Sequence, residues 1–171
     1  MMFLAEPAIA EIDKVAMLMR RNGAIGIEMF AAQDTGKGLI ILHSESEVDD
    51  PCMVRINPLF SGGNVGPNAG RYLFMVGIWV PQAVCGEFLD WYRNEHLPIL
   101  LECPTWDGCR FVESPVLEGH QFYALHQLED RSALESEERR RSRTTPWFMR
   151  LKQHPWFDEQ FSRQLYVAYC K

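Results

Sequence analysis

The clearest hydrophobic pattern begins at residue 72. YLFMVGIWV is apolar on both faces and reads as a central strand covered on both sides, ended by Pro81. A helix follows over about 84–101. Strands are predicted at about 106–113 and 122–128, joined across SPVLEGH, with a last strand at 164–170. Between the last two, a helical region starts near Asp130 and is broken at Pro146. The order is β-α-β-β-α-β. Its helices cover one face of an antiparallel sheet and leave the other bare. Residues 72 to 80 carry large apolar side chains on that second face as well, so something must bury it. A second copy in a homodimer is the expected cover; residues 1 to 70 folding back are the alternative.

Upstream the pattern is weaker. Ile9, Ile12, Ala16 and Met19 recur at helical spacing within 6–21, and Asn22–Gly23 is the predicted stop. IGIEMF (25–30) and GLIILHSE (38–45) read as short strands, and VRINPLF as another broken by Pro58. SGGNVGPNAGR (61–71), with four glycines, reads as a linker or loop. It has neither a Gly-Lys-Ser/Thr ending nor GxGxxG spacing, so it is no phosphate loop. The division is an α/β extension over 1–70 and a regular domain over 72–171.

Composition narrows the function. Of 171 residues 47% are hydrophobic, with five Trp and ten Phe, enough for a core and an aromatic pocket. The net charge of -6 argues against a nucleic-acid partner. Arg139, Arg140, Arg141 and Arg143 form one basic run behind Glu135, Glu137 and Glu138. It reads as a solvated helix end or loop, with an anion contact as the minor alternative. Five cysteines without zinc spacing read as reduced thiols. The N-terminus lacks a basic leader segment and no apolar run is long enough to span a membrane, so the expectation is a cytoplasmic protein.

The candidate chemistry lies in EFLDWYRNEHLPILLECPTWDGCRFVE (87–113). At about 100° per residue, Cys85, Leu89, Tyr92, His96, Leu100 and Cys103 fall in one inward arc. His96 there is either a hydrogen-bonded core residue or an acid/base group. Pro98 favours the second by kinking the helix and opening space beside it. Tyr92, one turn earlier, is placed to orient a substrate oxygen. His126, on the Phe122, Ala124 and Leu128 face of its strand, is a candidate pocket residue, as are Trp79 and Tyr123; Arg110 is a candidate partner for a substrate carboxylate, with an ordinary surface arginine as the favoured alternative. Sequence alone does not say whether the Trp79/Met75 face or the Phe74/Val76/Ile78 face meets the ligand. No HxH or HExxH pattern marks a metal site, and no cofactor is expected.

Trp91, Tyr92, Glu95, His96 and Pro98, then Pro104, Trp106 and Arg110, resemble the helix motif of the EthD-like family within the dimeric α/β-barrel superfamily. The resemblance covers residues 72 to 171. It implies a ferredoxin-like α+β unit, pairing as half of a dimeric barrel, and a cofactor-free enzyme of lyase, cyclase or isomerase type. The implied substrates are aromatic, polyketide-like or lactone compounds, with His96 and Tyr92 catalytic. A non-catalytic protein that holds a hydrophobic ligand, or an accessory protein, is the alternative. A histidine base of ordinary pKa would lose activity below pH ~6 to 7.

Overall fold

The computed structural model describes all residues except 22–23, 33, 67–68, 158–159 and 170–171. The Asn22–Gly23 helix stop and Cys170 therefore lie outside the described residues. The described residues form eight strands: β1 (Met2–Ala5), β2 (Ala24–Ala31), β3 (Gly38–Ser44), β4 (Val54–Gly63), β5 (Tyr72–Val80), β6 (Trp106–Ser114), β7 (His120–Leu128) and β8 (Phe161–Ala168). They close into one antiparallel barrel in the order β1-β3-β2-β8-β5-β7-β6-β4.

Residues 72 to 171 form the expected antiparallel unit, β8-β5-β7-β6. β5 sits at its centre, antiparallel to both β7 and β8. The N-terminal strands repeat the same arrangement as β4-β1-β3-β2. α1 (Ile12–Arg21) is the crossover of this first unit. Its second helix is missing, because residues 45–53 make only bends and turns between β3 and β4.

The two units share one barrel. β2 joins β8 through Phe30 and Ala31, and β4 joins β6 along Asn57–Gly63. The bare sheet face is thus covered from within the chain, and the case for a second copy on that face falls. Every strand contributes to the interior: Met2 and Leu4, Phe30, Leu39 and Ile41, Ile56, Leu73 and Met75, Val112, Leu125 and Tyr166. Burying each large apolar side chain here contributes about 1.5–3 kcal/mol, which favours closure over a half-barrel open to water.

β1, four residues long, was not expected from the pattern. Pro58 does not end β4, which runs past it with a register shift between Pro58 and Phe60. The strand runs on to Gly63 in the glycine-rich stretch, where φ is +70° and a Cβ would lie 2.2 Å from the Asp107 carbonyl oxygen. Gly63→Ala is therefore expected to destabilise by about 1 kcal/mol or more, seen as a lower urea midpoint with an unchanged m-value.

Candidate functional site

The helix over 84–101 is not continuous. α2 (Cys85–Trp91) passes into a π turn (Tyr92–His96) and then α3 (Leu97–Leu100). Pro98 is the cause. It has no N–H to give the Asn94 carbonyl, and the Leu97 N–H reaches back to Tyr92 O, five residues away. The inserted residue rotates the buried stripe, so Phe88, Trp91 and Tyr92 face the sheet before the turn and Leu97 and Leu100 after it.

Two further helices complete a roof over β5–β8. Ser136 caps α4 (Glu137–Ser142) by accepting from the Arg139 N–H, and Thr145 caps α5 (Pro146–Leu151) by accepting from Phe148. Pro146 thus starts a helix at its first turn, where a missing N–H costs nothing. The Thr145 hydroxyl also donates to Glu95 Oε1 at 2.5 Å, and Trp91 Nε1 donates to the same oxygen at 3.1 Å. Glu95 thereby ties the π turn to the α4–α5 corner.

Between roof and sheet lies a cavity of about 390 Å³. Its floor is Phe74, Val76 and Ile78 of β5 with Trp106 and His126; Trp91, Tyr92, His96, Leu100, Phe148 and Phe157 line the rest. So the Phe74/Val76/Ile78 face of β5 meets the cavity, and the Leu73/Met75 face packs into the barrel.

Two histidines reach this cavity in different states. The Trp106 Nε1–H points at His126 Nδ1 from 3.1 Å, so Nδ1 accepts and Nε2 carries the proton. That Nε2–H meets the Tyr92 hydroxyl oxygen at 2.8 Å. Burial lowers the His126 pKa to about 3, helped by repulsion from His96 and Arg139. Tyr92 is fully enclosed, and burial lifts its phenol well above the usual range, with Cys109 beside it as a further cause. Trp106, His126 and Tyr92 thus form one neutral hydrogen-bonded chain in the cavity wall.

His96 is different. Its ring packs on Trp91 and Tyr92 at centroid distances of 4.6 and 4.9 Å. The Ser142 backbone lies close to the ring, and Nδ1 is buried without a partner. Burial pushes the His96 pKa down to about 4, against the Ser142 contact and with help from the charges of Arg143 and Arg139.

Other sequence candidates lie elsewhere. Arg110 is on the barrel side of β6, where Nη1 and Nη2 donate to Glu28 at 2.5 and 2.7 Å. Tyr123 borders a separate cavity with Leu4, Glu6 and Met75. Trp79 is half-buried at the strand end, its Nε1 donating to the Glu118 carbonyl at 3.1 Å. The structure brings together His96, Tyr92 and His126 and leaves Arg110, Tyr123 and Trp79 outside. Trp106, quoted in the family resemblance but not as a pocket residue, belongs to the cavity; nothing beside it in its own strand pointed to His126, the indole's partner. Cys52, Cys85, Cys103 and Cys109 are free thiols. Among the described residues, no group of three or more His, Cys, Asp or Glu is arranged to hold a metal ion, and no helix is long and apolar enough to cross a membrane.

No family model and no curated protein matches the sequence. Solved structures do. A ferredoxin-fold protein from Listeria monocytogenes related to antibiotic biosynthesis monooxygenases matches with a TM-score of 0.68 and 12% identity, covering 100% of this chain and 96% of its own. The chain shares the ferredoxin-like barrel fold of monooxygenase-related proteins. An anthrone oxidase-like protein gives 0.65 and 12%, covering 99% and 91%. A major regulator of staphylococcal pathogenesis gives 0.68 and 8%, covering 99% of both chains. Identities this low establish the fold alone.

Proposed function

We propose that the protein is a cofactor-independent enzyme that takes a proton from an aromatic small molecule, with His96 as the base. The observation that carries this reading is the buried, unpartnered Nδ1 of His96, a residue that lines an aromatic cavity. Leaving such a group unpaired costs about 1–3 kcal/mol, and a substrate C–H or O–H supplies the missing partner.

Proton removal from an activated aromatic is the first step shared by isomerisation, elimination, aldol-type cyclisation and cofactor-free oxygenation. The EthD-like helix motif supports the lyase, cyclase and isomerase side of that set. The monooxygenase-related and anthrone oxidase-like neighbours support the oxygenation side. In this reading Tyr92 positions His96 through ring contact rather than polarising the substrate, since its hydroxyl is engaged by His126.

Anthrone, whose central C–H is acidic, is the test substrate, followed by absorbance and oxygen uptake. Turnover above the buffer rate is expected. With His96 held near 4 by burial, kcat/KM stays level through neutral pH and falls only as the pH approaches about 4, not at pH ~6 to 7 as for an exposed histidine. A loss centred near neutral pH assigns the proton transfer to another group. Tight binding without turnover across phenols and aromatic carbon acids leaves the ligand-holding reading instead.

A further inference from the structure

The basic run that reads as a solvated helix end in the sequence is not one in the fold. Arg139, Arg140 and Arg143 line the cavity, and no described lining residue is Asp or Glu. This concentration of positive charge sits on a chain of net charge -6. Arg141, which points away, pairs with Glu102.

Arg139 is half-buried, its guanidinium lying over the Phe74 ring on the cavity floor, 5.8 Å from the centroid. Its acceptor is a neutral one, the Leu134 carbonyl, and Arg140 likewise donates to the Glu135 carbonyl. Neither Arg139 nor Arg143 makes an ion pair among the described residues. Instead Arg139 feels like charge: burial lowers its pKa, and the charges of Arg143 and Arg163 lower it further. The same two arginines disfavour a charge on His96. Holding like charges around an apolar opening is unfavourable unless something negative is bound there.

We infer that the cavity takes an aromatic substrate bearing a carboxylate, its rings against Phe74, Trp91 and Trp106 and its carboxylate at the mouth between Arg139 and Arg143. This rests on the reading of the cavity as a small-molecule site. It adds the substrate's charge and orientation: the anionic end faces outward, and the ring carbons lie inward beside His96. A guanidinium pair suits a planar carboxylate, which accepts two parallel N–H bonds. The anion also offsets the repulsion that the arginines exert on each other.

The probes are 2-naphthoate and its neutral isostere 2-naphthamide, followed by quenching of tryptophan fluorescence, since Trp91 and Trp106 line the cavity. The expected result is naphthoate binding about tenfold tighter or more, as a charged hydrogen-bond partner provides. That preference should shrink in high salt and be lost in Arg139→Gln and Arg143→Gln. Arg141→Gln, outside the cavity, should keep it. Equal affinity for the two probes overturns the carboxylate inference while leaving a small-molecule site standing. Equal loss of preference in Arg141→Gln also overturns it, since a diffuse cationic surface then explains the binding. Binding of neither probe overturns both the inference and the cavity reading beneath it.

Discussion

Arg110→Met should destabilise the protein by about 3–5 kcal/mol, the cost of leaving a buried carboxylate without its cation. The carboxylate is Glu28, 2% exposed, inside the barrel, and Arg110 itself is 11% exposed. Glu28 accepts both guanidinium bonds, and His43 Nε2 lies 3.0 Å from the same Oε1 that Arg110 Nη1 reaches. Burial alone would raise the Glu28 carboxyl, but the His43 and Arg110 contacts outweigh it and hold it below the ordinary carboxylate value. A depressed carboxylate contributes stability above its unfolded pKa, and that stability is lost as the pH falls through the folded one. The unfolding free energy of the wild type should therefore fall on acidification below pH ~4 to 5. The double change Glu28→Leu with Arg110→Met should recover most of the loss, because two apolar groups need no partners. Urea melts of the wild type and the two variants decide the matter: a double variant no more stable than Arg110→Met would mean that the pair does not act as a unit.

His96→Ala should lower turnover about 100-fold or more, the usual contribution of a positioned base, while the thermal midpoint moves by only a few degrees. The reason for the small structural effect is that His96 Nδ1 has no partner to lose. The neighbouring Tyr92→Phe should behave in the opposite sense. It removes the acceptor of the buried His126 Nε2–H, so it should cost about 1–3 kcal/mol of stability. Its turnover should fall less than that of His96→Ala. Denaturation and kinetics on the same preparations separate the two roles. If Tyr92→Phe abolishes turnover and His96→Ala does not, the base has been misassigned.

The C-terminal unit was legible because its strands carry long apolar runs and its turns carry glycine and proline. The wheel at a uniform ~100° per residue brought Tyr92 and His96 to one arc, and both do border the cavity. It did not show the π turn, although Pro98 was the residue that signalled a break. The barrel closure was not legible in the same way. It depends on long-range pairing, such as Phe30 with Ala168 and Ala31 with Val167, that no local pattern encodes. Arg110 looked like a free carboxylate binder because its partner, Glu28, lies 82 residues away. The state of His126 was hidden for the same reason: its two bonds come from different elements, and together they take both ring nitrogens.

A barrel made of two identical chains has two equivalent cavities, and every substitution enters both at once. Here the joint between β4 and β5 puts both halves on one polypeptide, with the second helix of the first half absent. Each half is then free to change without its twin. The C-terminal half can carry the roof, the histidines and the cationic mouth, while the N-terminal half serves as the wall that keeps the barrel shut. Substitutions on the two sides of the barrel axis answer to different demands, one set by the chemistry of the cavity and the other by closure alone.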